Sequence, residues 1–195
     1  FSGVLSGIGE LTKTGSGVLT LGGENTYTGS VVVESGRLIL DGGTMGTVIQ
    51  QGGTVQIGAD DAVDSATIEG NYELQVGGIL EVDFFGADDA NSRDAGTVDT
   101  GNDYLIVNGD VTLAGELSLN YTLPNDVTTG DQFTIIKSTG TISGAFSNGT
   151  VTVGGYTFEV QVNDFGVDGS DVVLVAVNDA PELSNVQITS GDEGT

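Results

Sequence analysis

The residues of this chain that could carry chemistry are almost all carboxylates. Aspartate and glutamate number 28 against 4 lysines and arginines, histidine and cysteine are absent, and the formal net charge is -24. Without cysteine there is no disulfide, thiolate nucleophile or cysteine metal site. Without histidine, a serine nucleophile lacks the imidazole base that would activate it. The carboxylates gather in Asp60-Asp61-Ala-Val-Asp64, Asp88-Asp89 and Asp168-Gly-Ser-Asp171. Cation binding is one chemistry such groups serve, but no cluster has the twelve-residue spacing of an EF-hand loop, and a solvated loop is the plainer reading. Hydrolysis of a neutral glycan is the other. It needs only two carboxylates at a suitable separation, so the abundance of acids supplies accidental pairs and no signal. Lyase chemistry on a polyuronate would need a cationic base, whereas Lys13, Arg37, Arg93 and Lys137 are dispersed along the chain. No glycine-rich phosphate loop precedes a helix. The expectation is therefore no enzyme, with a glycan-degrading enzyme kept as the last alternative.

The same charge repels phosphate backbones and anionic headgroups, so nucleic acid is not an expected partner. Cations and neutral sugars are compatible with it, and a solvated surface in salty or extracellular water is its simplest meaning. The longest apolar run, Val172 to Val177, falls far short of the ~20 residues needed to cross a bilayer as a helix, so direct membrane insertion is not expected.

What must position these carboxylates is a β framework. Five segments repeat one pattern, a glycine followed by alternating aliphatics: Gly17-Val-Leu19-Thr-Leu21, Gly36-Arg-Leu38-Ile-Leu40, Gly53-Thr-Val55-Gln-Ile57, Gly78-Ile-Leu80-Glu-Val82 and Gly115-Glu-Leu117-Ser-Leu119. Alternation puts every second side chain on one face of a strand. The glycines are 19, 17, 25 and 37 residues apart, too short at first for a βαβ unit but near the length of one turn of a β solenoid. The spacing thus predicts an all-β parallel β-helix, with Leu19, Leu38, Val55 and their counterparts stacked from coil to coil. Apolar residues at helical spacing are missing, and each short strand is bounded by glycine or Asx.

From Asp60 to Gly101 the acidic clusters read as loops leaving the stack around a strongly β segment, Tyr72 to Phe85. From Asp103 to Val177 the strands lengthen and Phe133, Phe146, Tyr156, Phe158 and Phe165 appear, the texture expected of a β-rich C-terminal cap that closes the core. Asn178-Asp-Ala-Pro181 then reads as a joint, since proline stops the preceding strand. The expected organisation is residues 1–177 as β-helix and cap, and 178–195 as a linker with the first strand of a following, incomplete repeat. Thr12-Lys-Thr14 and Thr26-Tyr-Thr28 lack the regular ranks of an ice-binding face and read as turn and edge residues.

Residues Gly9 to Leu40 combine Leu-Thr-Lys-Thr-Gly, Asn25-Thr-Tyr-Thr-Gly29 and Ser35-Gly-Arg-Leu38 in one order. This resembles the passenger-associated repeat of bacterial autotransporters and related giant surface adhesins. Gly130-Asp-Gln-Phe-Thr-Ile-Ile136, Gly144-Ala-Phe146 and Asp168-Gly-Ser-Asp-Val-Val-Leu174 look like the region that follows such repeats. The resemblance implies a right-handed parallel β-helix outside a bacterial cell, secreted or displayed at its surface, with a host or neighbouring cell surface or a glycan as partner. The alternative, of a different class, is calcium-dependent ordering or self-association, including assembly into a surface filament or layer, for which unpaired rungs near Phe1 would be the template. The joint is similar to those between cadherin-like or immunoglobulin-like repeats, which implies Ca2+ held by Asn178, Asp179 and Glu193, although Ala176 stands where a further acidic ligand would be. Gly166-Val-Asp-Gly-Ser-Asp171 partly resembles the calcium-binding nonapeptide of repeats-in-toxin proteins. It is present once, and an Asp-Gly hairpin turn accounts for it better.

Overall fold

The computed structural model describes residues 3–23, 25–58, 63–85, 101–121, 127–164 and 169–178. Five complete coils of three strands follow one another. They are β1 (Ser6–Gly7), β2 (Leu11–Lys13) and β3 (Val18–Gly22); β4 (Thr26–Tyr27), β5 (Val31–Val33) and β6 (Arg37–Asp41); β7 (Thr44–Met45), β8 (Val48–Gln50) and β9 (Gly53–Ile57); β10 (Ser65–Ile68), β11 (Tyr72–Leu74) and β12 (Gly78–Phe84); and β13 (Tyr104–Val107), β14 (Val111–Leu113) and β15 (Glu116–Tyr121). A sixth coil supplies β16 (Gln132–Ser138) and β17 (Ile142–Gly144), after which β18 (Thr150–Val153), β19 (Tyr156–Asp164) and β20 (Ser170–Asn178) leave the coil path.

First strands of successive coils pair in one sheet, here sheet A, second strands in sheet B and third strands in sheet C. Every pairing between coils is parallel, and the chain is a parallel β-helix. The glycine-led segments are sheet C. Leu19, Leu38, Val55, Leu80 and Leu117 stand directly above one another, in steps of 19, 17, 25 and 37 residues. From Leu38 to Leu80 these side chains have no exposure, so each coil hides its apolar face only because another lies on either side.

The leading glycine has a steric cause. At Gly53 (φ +68°) a Cβ would collide with the backbone of Ser35 and Gly36 one coil below, and at Gly36 (φ +78°) with the carbonyls of Gly15 and Gly17. Coils spaced about 4.8 Å apart leave no room for a side chain at that corner.

Coil length varies at one corner. The turns from sheet A to B and from B to C stay short throughout, whereas the connections from sheet C to A lengthen after β9, β12 and β15. Lengthened loops on a single face are how a solenoid accommodates insertions without disturbing its stack.

The stack continues further than the change in sequence texture implies. Residues 104–121 build the fifth coil and 132–144 most of a sixth, so the cap proper is β18 to β20. Tyr72 to Phe85 is likewise two strands, β11 and β12, joined by a turn, because the coil must bend between sheets B and C. In the cap, β20 pairs antiparallel with β16, β19 with β20 and β18 with β19, which extends sheet A beyond its last coil. Phe84, Phe133 and Phe158 meet beneath it edge to face, with ring centroids 4.7, 5.0 and 6.0 Å apart. The last strand of sheet C is closed by a side chain: Leu117 N–H donates to Asn148 Oδ1 at 2.9 Å and Asn148 Nδ2 donates to the Leu117 carbonyl at 2.7 Å. That amide reproduces the two hydrogen bonds a further strand would make at this position.

Candidate functional site

Two places gather polar groups on the framework. The first is a groove of about 470 Å³ on the outer face of sheet C, where Arg37, Gln56 and Glu81 come from three successive coils. Outward positions on one face repeat from coil to coil, so residues distant in sequence become neighbours. Arg37 Nη2 donates to Glu81 Oε2 at 3.0 Å, Nη1 donates to Glu81 Oε1, and Nη1 also donates to Gln56 Oε1 at 2.5 Å. The bidentate pair clamps coils two apart. Ser118 and Asn120, with the apolar Val18, Ile39 and Leu119, complete the groove, so hydroxyl and amide groups stand beside apolar surface around a charge that is already neutralised. Such a surface can hydrogen-bond a polar, uncharged ligand.

The second place is the corner between sheets C and A at the fourth and fifth coils. Asp103 is fully buried there, its Oδ1 accepting from the Asp64 amide at 2.7 Å and its Oδ2 from the Asp83 amide at 3.4 Å. Burial is the main cause that pushes the Asp103 carboxyl up to about 8; the two amides oppose the rise and the nearby Asp83 and Asp64 carboxylates add to it. Asn102 beside it donates from Nδ2 to the carbonyls of Asp103 (2.7 Å) and Thr134 (2.9 Å), tying the returning chain to sheet A. Asp103 therefore acts as a corner brace for two coils. Among the described residues, no group of three or more acidic side chains is placed to hold a metal ion.

Asp64 joins this corner, while Asp60, Asp61, Asp88 and Asp89 lie outside the described residues. Of the metal ligands implied by the joint, Asn178 ends β20, and Asp179 and Glu193 lie outside the described residues, as does the rest of 179–195. Asp171 sits on β20 opposite Asn163 of β19, and the two strands pair antiparallel, as a hairpin between them requires. Burial raises the Asp171 carboxyl and Lys137 lowers it in part. Thr26, Thr44 and Thr67 do form a short rank on sheet A, which ends at Ile106 in the next coil.

Other polar roles escaped the sequence. Lys13 is nearly buried, its ammonium donating to the carbonyls of Thr14, Gly15 and Ser35 at 3.0 Å each. Three donors meet three acceptors, so the charge is fully hydrogen-bonded at the corner between sheets B and C. Gln50 occupies the same column two coils on. Its Oε1 accepts from the Tyr72 hydroxyl at 2.8 Å and its Nε2 donates to the carbonyls of Gly53 and Ile79. Burial pushes that hydroxyl well above the ordinary tyrosine range. At the corner between sheets A and B, Asn71 Oδ1 accepts from the Asp110 amide, and Asp110 Oδ1 accepts from the Thr141 amide one coil further. The Thr141 amide and hydroxyl hold the exposed Asp110 carboxyl below its usual range. The only signal for this ladder was an Asx residue recurring where a coil turns.

Residues 11–40 match the family model described as Passenger-associated-transport-repeat. The match runs from the start of β2 to Leu40 in β6, which is one full turn of the stack and a second pass through sheets B and C. No curated protein matches the chain. Residues 11–40 are thus similar to a passenger-associated transport repeat, and in this chain that segment is built as coils of a parallel β-helix.

Proposed function

We propose that this chain is a non-catalytic structural and adhesive module of a large bacterial protein, secreted or displayed at the cell surface, in which the coil stack is a stiff stalk that presents binding regions. The in-register column of sheet C carries this reading: stacked parallel coils transmit load along their axis through a continuous hydrogen-bonded ladder and one shared core. The passenger-transport repeat at residues 11–40 supports display outside the cell. The long connections between sheets C and A all leave the same corner, which is where a solenoid places recognition loops. Their partner is a neutral glycan or a cell surface, since the net charge of -24 disfavours polyanions.

Beads coated with the protein are expected to be retained on host cells or on a panel of neutral glycans. Replacing residues 59–62, 86–100 and 122–126 by short turns is expected to abolish retention without lowering the melting temperature by more than a few degrees. Beads that fail to bind both cells and glycans would overturn the adhesive part of the proposal.

A further inference from the structure

Outward positions of sheet C alternate with its buried leucines, so one outward column runs Ile39, Gln56, Glu81 and Ser118 through the second to fifth coils. The strands carrying Ile39, Gln56 and Glu81 are each paired on both edges, and the Asn148 amide closes the outer edge of the fifth coil at Leu117. This column therefore belongs to the side of the stack, where the backbone groups are spent within the sheet. Asn120 stands two residues beyond Ser118 on the same face. Arg37 reaches over from the neighbouring outward column to Gln56 and Glu81.

Charge and hydrogen-bonding capacity say what this groove of about 470 Å³ would hold. Its one ion pair is internal: Arg37 and Glu81 meet in bidentate fashion, with side chains 35% and 15% exposed, on a chain of net charge -24. An anionic ligand is repelled by the chain, and a cationic one finds the carboxylate already taken. Uncharged polar groups fare differently. A carboxylate has about four lone-pair sites, of which the Arg37 fork takes two from Glu81, so acceptor capacity remains. The Ser118 hydroxyl and the exposed Asn120 amide make no hydrogen bond among the described residues, and half-buried Ile39 adds apolar surface beside them. A sugar hydroxyl donates and accepts at one atom, and a pyranose ring carries C–H faces next to its hydroxyls, so a neutral saccharide matches this mixture. An extended peptide matches it less well, because it adds to unpaired strand edges and a sheet face offers none.

We propose that the groove is a binding subsite for a short neutral oligosaccharide lying along the coil axis, with hydroxyls on Glu81, Ser118 and Asn120 and a ring face over Ile39. Ile39 and Ser118 are three coil steps apart, about 14 Å, which gives room for about three sugar units. Arg37 and Gln56 are the floor. Bidentate pairing fixes the guanidinium before a ligand arrives, so little side-chain freedom is lost there on binding. The strands β9, β12 and β15, which supply Gln56, Glu81, Ser118 and Asn120, also lead into the long connections between sheets C and A. The inference rests on the surface-display reading for where such a sugar would be met, and deepens it by naming the side chains that would hold the neutral glycan.

The test is fluorescence anisotropy of labelled, soluble oligosaccharides of glucose, galactose, mannose and N-acetylglucosamine titrated with the polypeptide of residues 1–195, and of oligogalacturonate as their acidic counterpart. At least one neutral probe is expected to bind, and oligogalacturonate is not. Ser118→Ala together with Asn120→Ala is expected to weaken that binding roughly tenfold and to leave the melting temperature unchanged, since neither side chain is hydrogen-bonded among the described residues. Ile39→Ser is expected to act in the same direction through the lost apolar surface. Ser143→Ala, on sheet B, is the control and is expected to change nothing. The loop-replaced chain separates the two readings: it is expected to keep the soluble probe, because the groove residues all lie on strands, although beads coated with it are no longer retained. No neutral probe bound, oligogalacturonate bound equally well, or binding untouched by the double alanine variant would overturn the subsite even where coated beads still hold to cells. Soluble probe bound by a parent protein whose beads hold to neither cells nor glycans would support the subsite and sink only the adhesive reading.

Discussion

The first and fifth coils are made from one motif and differ in what lies over them among the described residues. Among the described residues, Leu19 of the first coil is partly exposed, a Cβ on Gly17 would meet nothing within 4 Å, and β1, β2 and β3 are the terminal strands of their sheets. In the fifth coil Leu117, four coils along the same column, is 2% exposed beneath the Asn148 amide and the antiparallel cap. A β-helix coil has no private core. Its burial, its corner glycine and its hydrogen bonds all depend on its neighbours, so stability in this fold is a nearest-neighbour quantity and the ends are where it is decided.

The largest expected effect is in the core column. In the polypeptide of residues 1–195, Leu80→Ala, between two coils, is expected to cost roughly 3–5 kcal/mol in urea denaturation, and Leu19→Ala less than half of that, because Leu19 is already partly exposed there. Equal losses at the two sites would break the comparison. Next is the corner glycine: Gly53→Ala is expected to cost about 1–3 kcal/mol, from positive φ and a clash with the coil below, while Gly17→Ala leaves the melting temperature of residues 1–195 nearly unchanged.

Asn148→Ala is expected to cost about 1–2 kcal/mol, since it leaves the Leu117 amide and carbonyl without the side chain that closes them, and faster hydrogen exchange at Leu117 would show it directly. The last prediction concerns a slope. The folded pKa of Asp103 is about 8, above its unfolded value near 4, so from about pH 4 to 8 the native state holds a proton the unfolded chain has released. Its stabilising contribution is complete below about pH 4 and is lost as the pH rises through 8. Asp103→Asn is expected to flatten the stability curve in that window relative to the parent protein, and identical slopes for the two would contradict the placement of Asp103.

Much of the stack could be read in advance. The period-two alternation of Leu38 and Leu40, or Val55 and Ile57, states which face is buried, and the glycine intervals of 19, 17, 25 and 37 residues state the register between coils without reference to coordinates. The candidate site was far less legible. Nothing about Lys13 as a lone basic residue predicts an ammonium seated on three carbonyls, and Arg37 and Glu81 are 44 positions apart in the chain. Longer strands and more aromatics from residue 103 suggest a cap that starts there, whereas a change in pairing direction, at β20, marks where coiling stops.

Local covalent structure settled the strands, their inward faces, the corner glycines and the repeat, because each is dictated by backbone geometry and by the period of the apolar side chains. The tertiary structure alone decided which polar groups meet and how the last coils are covered by the antiparallel strands β18 to β20. Those outcomes depend on coils whose separation in sequence varies with every insertion, while their separation in space is fixed by the hydrogen-bonded ladder at about 4.8 Å.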